Sequence, residues 1–291
     1  MGNNFYIDKK SDKIIDARFI NIKINTNENI RNIEIVPVHD GTSYLINLIY
    51  EINCDVKTTK SINKMISIDL GVINLMTIYD PSGTQKVISG SEIQSLNRYF
   101  SRKISNYQSV GDNINRYKYI RKREQVMKNY SYKLVKWILD TYKDKTQIIV
   151  GYNKGWKIET KMGTKNNKRF YEIPYRKILN KLRSKMEEKG KTLIEQEEAY
   201  TSRCDSLVLE SVEKHITCQG EDDYKGTRKG RLYKSSTGKI INADLNGAIN
   251  IMRKYCKRSK IAFTKVIGEK LYNPMKIKNL NQHTMRKPVC E

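Results

Sequence analysis

Carboxylates stand at several places in this chain where phosphodiester chemistry would want them. Asp69 closes the apolar run MISIDL, with Ile66, Ile68 and Leu70 around it, and Asp244 sits in INADLNGAIN at the mouth of an apolar helix. Glu195, Glu197 and Glu198 cluster at the end of TLIEQEE. Hydrolysis by the two-metal route gathers acids around two cations about 4 Å apart, which activate water and steady the leaving oxygen. Magnesium takes oxygen ligands and keeps several waters, so three acids are sufficient. Each aspartate also has a plainer role open to it. Asp69 could cap the Asp-Leu-Gly turn, and Asp244 could be the N-cap of its helix. A cap alone does not explain the small Gly247 and Ala248, or Asn246 and Asn250 one helical turn apart on the same side. Those residues would suit a crowded polar site.

The elements that must bring these acids together can be read from periodicity. Residues 14–56 alternate apolar and polar in ARFINIKI, RNIEIVPV and TSYLINLIYEI, with His39-Asp40-Gly41 as a hairpin signal, giving a small β region. MISIDLGV, NLMTIYD and KVISG then make three closely spaced strands, an antiparallel meander. Residues 92–143 read as basic helix. Ile120, Met127, Leu134, Val135 and Ile138 form its inward stripe, and Arg121, Lys122, Arg123 and Lys128 lie elsewhere on its surface. TQIIVGY is a continuous apolar run expected as a buried central strand. A helix over IPYRKILNKLRSKMEEKG closes at Gly190, TLIEQEE is another strand, and a last helix follows INAD. Meander, helices, strand, helix, strand, insertion, helix is the order of an RNase H-like α/β fold. The expected organisation is a β region over 1–64, a nuclease-type domain over 65–256 and a basic tail over 257–291. The domain would carry a helical insertion at 92–143 and a second insertion at 203–240.

Composition narrows the partners. The 291 residues carry 55 Lys+Arg against 31 Asp+Glu, a formal net charge of +24, and an excess of this size favours a polyphosphate partner. A bias toward Lys, Asn, Ile and Tyr accounts for part of the lysine but leaves the imbalance in place. The hydrophobic share of 38% can build a core unaided. Five cysteines without C-x-x-C spacing argue against a disulfide framework or a complete zinc site. No apolar stretch approaches the length of a membrane span, so a soluble, intracellular, DNA-associated protein with no membrane partner is expected. In the second insertion Lys225, Arg228, Lys229 and Arg231 could contact phosphates, and Tyr224 and Tyr233 could stack on bases; a merely solvated loop is the alternative.

SIDLGVINLMTIYD resembles the first RuvC-like motif of the TnpB (OrfB) proteins of bacterial insertion sequences, and NADLNGAINIMRK resembles the third. Tyr200-Thr201-Ser202 and GRLYKSSTGKIINADLNGA fall between them in family order, and the likeness covers about residues 30–256. It implies a RuvC-like nuclease core behind a wedge-type β barrel, here partial. Asp69 and Asp244 would be the first and third ligands of a two-Mg²⁺ site in an RNA-guided DNA endonuclease, related to Fanzor proteins and type V CRISPR effectors, with guide RNA and target DNA as partners. Three departures stand out. The family's second acid closes the strand that here reads TQIIVGYNKGWK, with Gly151 or Tyr152 in its place and no acid before Glu159. Some relatives use a rearranged glutamate three residues before the Thr-Ser pair, which maps onto Glu198, with Glu197 as second choice. The usual two C-x-x-C pairs are reduced to Cys204 and Cys218 with His215 near, so zinc is not expected. Only about 64 residues precede the first motif, fewer than the family usually has, as in a truncated copy. The main expectation is a transposon-associated, Mg²⁺-dependent, RNA-guided DNA endonuclease that uses Asp69, Glu198 and Asp244. The alternative is a degenerate copy that only binds RNA or DNA.

Overall fold

The computed structural model describes residues 5–7, 14–17, 20–23, 30–38, 43–52, 55, 59–152, 170–213 and 223–280. The expected turn at His39–Gly41, Glu159, His215 and Cys54, Cys218 and Cys290 lie outside the described residues. The chain divides into two compact units, Met1–Cys54 and Asp55–Glu291.

The first unit is all β. Strands β1 (Phe5–Ile7), β2 (Ile14–Ala17) and β3 (Ile20–Lys23) form one antiparallel sheet, and β4 (Ile30–Val38) pairs with β5 (Ser43–Tyr50) in another, with a register shift between Ile30 and Asn32. The single strand expected over ARFINIKI is instead divided, because Ile20–Lys23 folds back antiparallel onto Ile14–Ala17. Alternation alone does not report such a reversal.

The second unit holds a six-stranded mixed sheet. β6 (Met65–Leu70), β7 (Asn74–Tyr79) and β8 (Lys86–Ser89) make the antiparallel meander. Helices α1 (Ser91–Ser109) and α2 (Asn113–Thr141) follow. The chain then enters β9 (Gln147–Gly151), α3 (Tyr175–Glu187) and β10 (Thr192–Gln196). β9 lies parallel to β6 and β10 parallel to β9. The strand order β10-β9-β6-β7-β8 is the RNase H-like arrangement. A second sheet follows, of β11 (Thr227–Lys229), β12 (Leu232–Lys234) and β13 (Ile240–Asn242), and β13 runs directly into α4 (Ala243–Arg258). Finally β14 (Met275–Ile277) pairs parallel with β8 at the far edge of the main sheet, an addition that the short, basic segment around it did not announce.

Side-chain parity divides the layers. Ile66, Ile68, Leu70, Ile148 and Val150 share a core with Leu134, Val135 and Ile138 of α2 and Ile178, Leu179 and Leu182 of α3. Met65 and Ile149, on the opposite face, pack with Leu245, Ala248, Ile249 and Met252 of α4. Both faces are thus covered, and this is why β6, β7 and β9 are almost wholly buried. Because β side chains alternate, Asp69 and Gly151 point toward the α4 face, as does the line that runs from Ile194 through Gln196 to Glu198. Ser67 lies between Met65 and Asp69 on this face, and its Oγ donates to the Ala248 carbonyl at 2.6 Å, tying β6 to α4 one step from the aspartate.

Candidate active site

Asp69 is held at the end of the central strand by a helix that leaves it room. A Cβ at Gly247 would stand 3.0 Å from Asp69 Oδ2, so the glycine lets the first turn of α4 pass directly over the carboxylate. The same turn carries Asp244, which is not the N-cap. The Asn242 side chain caps α4 by accepting from the Asp244 and Leu245 backbone amides at 3.0 and 3.1 Å, leaving the Asp244 carboxylate for other partners. Those partners come from two different elements. Asn74 Nδ2, at the start of β7, donates to Oδ2 at 2.8 Å, and Arg228 of β11 donates to Oδ1 at 2.9 Å.

Glu198 arrives from beyond β10. Thr201 donates both its backbone amide and its hydroxyl to the Glu198 carbonyl, at 3.1 and 2.7 Å. Asn250 Nδ2 in turn donates to the Thr201 and Cys204 carbonyls at 2.8 and 2.7 Å. The Tyr200-Thr201-Ser202 element is therefore a turn that sets the glutamate in place. Asn246 and Asn250, expected beside the acids, instead fasten this turn from below: Asn246 donates to the Cys204 carbonyl at 2.9 Å and accepts from the Ser206 amide at 3.1 Å. That Asn246 and Asn250 share a helix face with each other was legible; that this face meets the carboxylates was not implied, since positions two and six after Asp244 lie on the other side of the helix.

Gly151 gives the site its shape. β9 pairs with β6 through Ile68–Val150, one step before Asp69 and Gly151, and Gln196 pairs with Gly151 across β10. A Cβ at 151 would meet Glu198 Oε2 at 2.7 Å and the Ile251 Cδ1 at 2.5 Å. The carboxylate of Glu198 occupies the space in which a side chain on β9 would stand. The neighbouring glutamates are committed elsewhere. Glu195 pairs with Arg176 at 2.9 Å and with Arg183, and these cations more than offset its burial to hold its carboxyl below the usual range. Glu197 is exposed and pairs with Lys254.

Asp69, Glu198 and Asp244 line one cleft of about 720 Å³ with Asn74, Arg228, Arg231 and Gly247. Burial pushes Asp69 well above the ordinary carboxylate range, and the nearby charges of Glu198 and Asp244 push it further, against the smaller pull of Arg228 and the Leu70 amide. Burial and the Glu197 charge raise Glu198 to about 7, with Lys254 opposing. Like charges crowded in a half-buried cleft are unfavourable without a counter-cation. Among the described residues, no three Asp, Glu, His or Cys side chains stand ready to hold one metal ion as they are.

The expected nucleic-acid contacts fall into different places. Arg228 and Arg231 line the cleft. Lys225 and Lys229 are exposed, and the Lys225 backbone amide donates to Glu210 at 2.9 Å. Tyr233 cannot stack on a base: it is fully buried, and its hydroxyl donates to the Arg203 carbonyl at 2.6 Å. Strand alternation within β12 turns it inward, which a loop reading of the insertion missed. On α2, Lys122 and Lys128 are exposed, Arg121 is half-buried, and Arg123 donates to Asn97 Oδ1 of α1, so it serves to join the two helices. The second insertion is held by Asp205, fully buried and accepting from the Ser235 and Ser236 hydroxyls and the Ser236 and Leu207 amides. Among the described residues no helix is long and apolar enough to cross a membrane.

Two family models match parts of the chain, and solved structures are similar to it. The OrfB/IS605 family model, described as a probable transposase, matches residues 43–160, and the Cas12f1-like TNB domain model matches residues 175–251. No curated protein matches. Among solved structures, a Cas12f1–sgRNA–target DNA complex is similar at 16% identity and a TM-score of 0.46, covering 77% of this chain and 56% of that one. A CRISPR–Cas12f ternary complex is similar at 14% identity and a TM-score of 0.45, covering 78% and 46%. The chain thus spans about half the length of these two proteins. The probable-transposase model lies over the strand that ends in Asp69 and the TNB model over the segment that carries Glu198 and Asp244, so over these two stretches the chain is TnpB-like.

Proposed function

We propose that this chain is a Mg²⁺-dependent nuclease in which Asp69, Glu198 and Asp244 hold the metal, and that it cuts target DNA under the direction of a guide RNA. The observation that carries the reading is the Glu198 carboxylate standing over Gly151, in the space left by the acid missing from β9, on the same sheet face as Asp69. The donor set fits a hard dication: three carboxylates and one amide carbonyl, with no sulfur or imidazole in the cleft lining. Magnesium is commonly held by one or two protein carboxylates plus water, so the pairs Asp69–Glu198 and Asp69–Asp244 suffice without all three meeting on one ion. Bound there, the metal would supply water activation and charge neutralisation at the scissile phosphate. The chain's own groups do the rest. Asn74 fixes the rotation of the Asp244 carboxylate, Thr201 and Asn250 fix the backbone that carries Glu198, and the exposed Lys122 and Lys128 with Arg231 offer phosphate contacts.

A second reading, binding without cleavage, draws on the Arg228 ion pair, which already neutralises Asp244. Metal-dependent nicking of DNA in the presence of copurified RNA separates the two. Cleavage in the wild type that is lost in Asp69→Asn, Glu198→Gln and Asp244→Asn, with RNA binding kept, is the expected result. Cleavage that survives in all three variants ends the nuclease assignment, and absence of cleavage in the wild type with Mg²⁺ or Mn²⁺ favours the binding-only reading.

A further inference from the structure

Arg228 is a cation that reaches the proposed site from another sheet. It rises from β11, in the hairpin that continues through β12 and β13 into α4, so the arginine and the aspartate it touches are 16 positions apart in the chain. Its guanidinium is fixed at two points: NH2 lies 2.9 Å from Asp244 Oδ1, and Nε donates to the Gly230 carbonyl at 3.1 Å, which holds the side chain across its own hairpin turn. The pair is reachable from solvent, with 40% of the arginine side chain and 24% of the aspartate exposed. The two carboxylate oxygens are therefore unlike. Oδ2 is held by Asn74, a residue only 9% exposed in the central sheet, whereas Oδ1 is held from β11, a strand exposed along its whole length.

We propose that Arg228 is a displaceable counter-charge, a latch that ties the β11–β12 hairpin to Asp244 and competes with the divalent cation for Oδ1. The proposal rests on the reading of Asp244 as a metal ligand. Competition for one oxygen makes the two events reciprocal: a cation that takes Oδ1 loosens the hairpin, and anything that draws the hairpin away strengthens cation binding by the same factor. The arginine freed in this way stays at the rim of a cleft that it lines with Arg231, where a phosphate is the natural new partner for its planar fork. A nucleic-acid strand entering the cleft would then draw off the latch and admit the metal together.

Mn²⁺ binding to the whole purified chain, followed by the paramagnetic resonance of the free ion, tests this without an activity readout. Arg228→Gln is expected to bind Mn²⁺ more tightly than the wild type by roughly two- to five-fold, the span set by a half-exposed ion pair. Arg231→Gln removes an equal charge from the lining of the same cleft and is expected to produce a smaller gain. Amide exchange supplies a second measurement: Mn²⁺ should speed exchange across Thr227–Lys234 in the wild type, and Arg228→Gln should exchange fast with or without the ion. Equal or weaker binding by Arg228→Gln, or equal gains in both arginine variants, overturns the latch while leaving the metal site standing. Wild-type binding no tighter than that of Asp69→Asn and Asp244→Asn overturns the latch and the metal reading together.

Discussion

Glu198 is a carboxylic acid that its surroundings keep partly protonated at neutral pH, and this has a measurable sign. Its carboxyl rises from an ordinary 4.5 to about 7 on folding, chiefly through burial, and Asp69 rises beside it. An acid with a raised folded value binds more protons folded than unfolded across that window, so stability falls as pH rises. The penalty is absent below about 4.5 and fully present above about 7. The metal-free chain in chelator is therefore expected to melt at a higher temperature at pH 6 than at pH 8, and Glu198→Gln should flatten the difference. Identical pH profiles for the two proteins would remove Glu198 from the account. Cation binding requires the charged carboxylates, so Mn²⁺ affinity should climb over the same window. At this scale the sequence was informative about type and poor about company. Gly151 announced a missing acid, the motif spacing pointed to Glu198, and the neighbouring acids are engaged elsewhere, Glu195 with Arg176 and Arg183 and Glu197 with Lys254. Asn74 went unnoticed: one asparagine opening an apolar strand has no signal until its distance to Asp244 is known, and that pairing spans 170 positions.

The elements were legible where periodicity is local and obscure where a side chain decides between two local uses. The meander, the buried β9 and the inward stripe of α2 follow from patterns of two and 3.6 residues. The capping of α4 does not, because Asn242 and Asp244 are both good N-caps two residues apart. Packing settled it by giving Asp244 to the cleft. The same helix shows what its amides are for. Asn250→Ala would leave the Thr201 carbonyl without its donor and remove one of the two donors to Cys204, both in buried surroundings. An unsatisfied buried acceptor costs about 1–3 kcal/mol, so urea denaturation should report a loss of that size. A loss below about 0.5 kcal/mol, ordinary for a surface change, would mean that the turn carrying Glu198 is not anchored through α4. Asn246→Ala should resemble it in direction, since it breaks the parallel contacts to Cys204 and Ser206.

Across the whole molecule the charge is unevenly divided. Residues 1–54 carry 6 Lys+Arg and 7 Asp+Glu, which leaves 49 Lys+Arg and 24 Asp+Glu of the full 55 and 31 in residues 55–291. The entire positive excess belongs to the unit that holds the cleft, so a polyanion should be attracted there and not by the N-terminal β unit. Binding of this kind releases counterions, and the logarithm of affinity falls with the logarithm of salt by about 0.9 for each phosphate neutralised on duplex DNA. Lys122 and Lys128 are both exposed on α2, two of the four basic residues singled out there, whereas Arg123 is engaged with Asn97. If they lie along a backbone, Lys122→Gln with Lys128→Gln should reduce the salt slope by nearly 2 in total. Arg123→Gln is then expected to reduce stability through the α1–α2 contact more than it reduces the slope. A slope unchanged in the lysine double variant would make that face of α2 a solvated surface, and the +24 charge would have to act through other residues of the same unit. Charge composition favours a polyanionic partner, and a residue-by-residue slope of this kind tests which face of the fold such a partner follows.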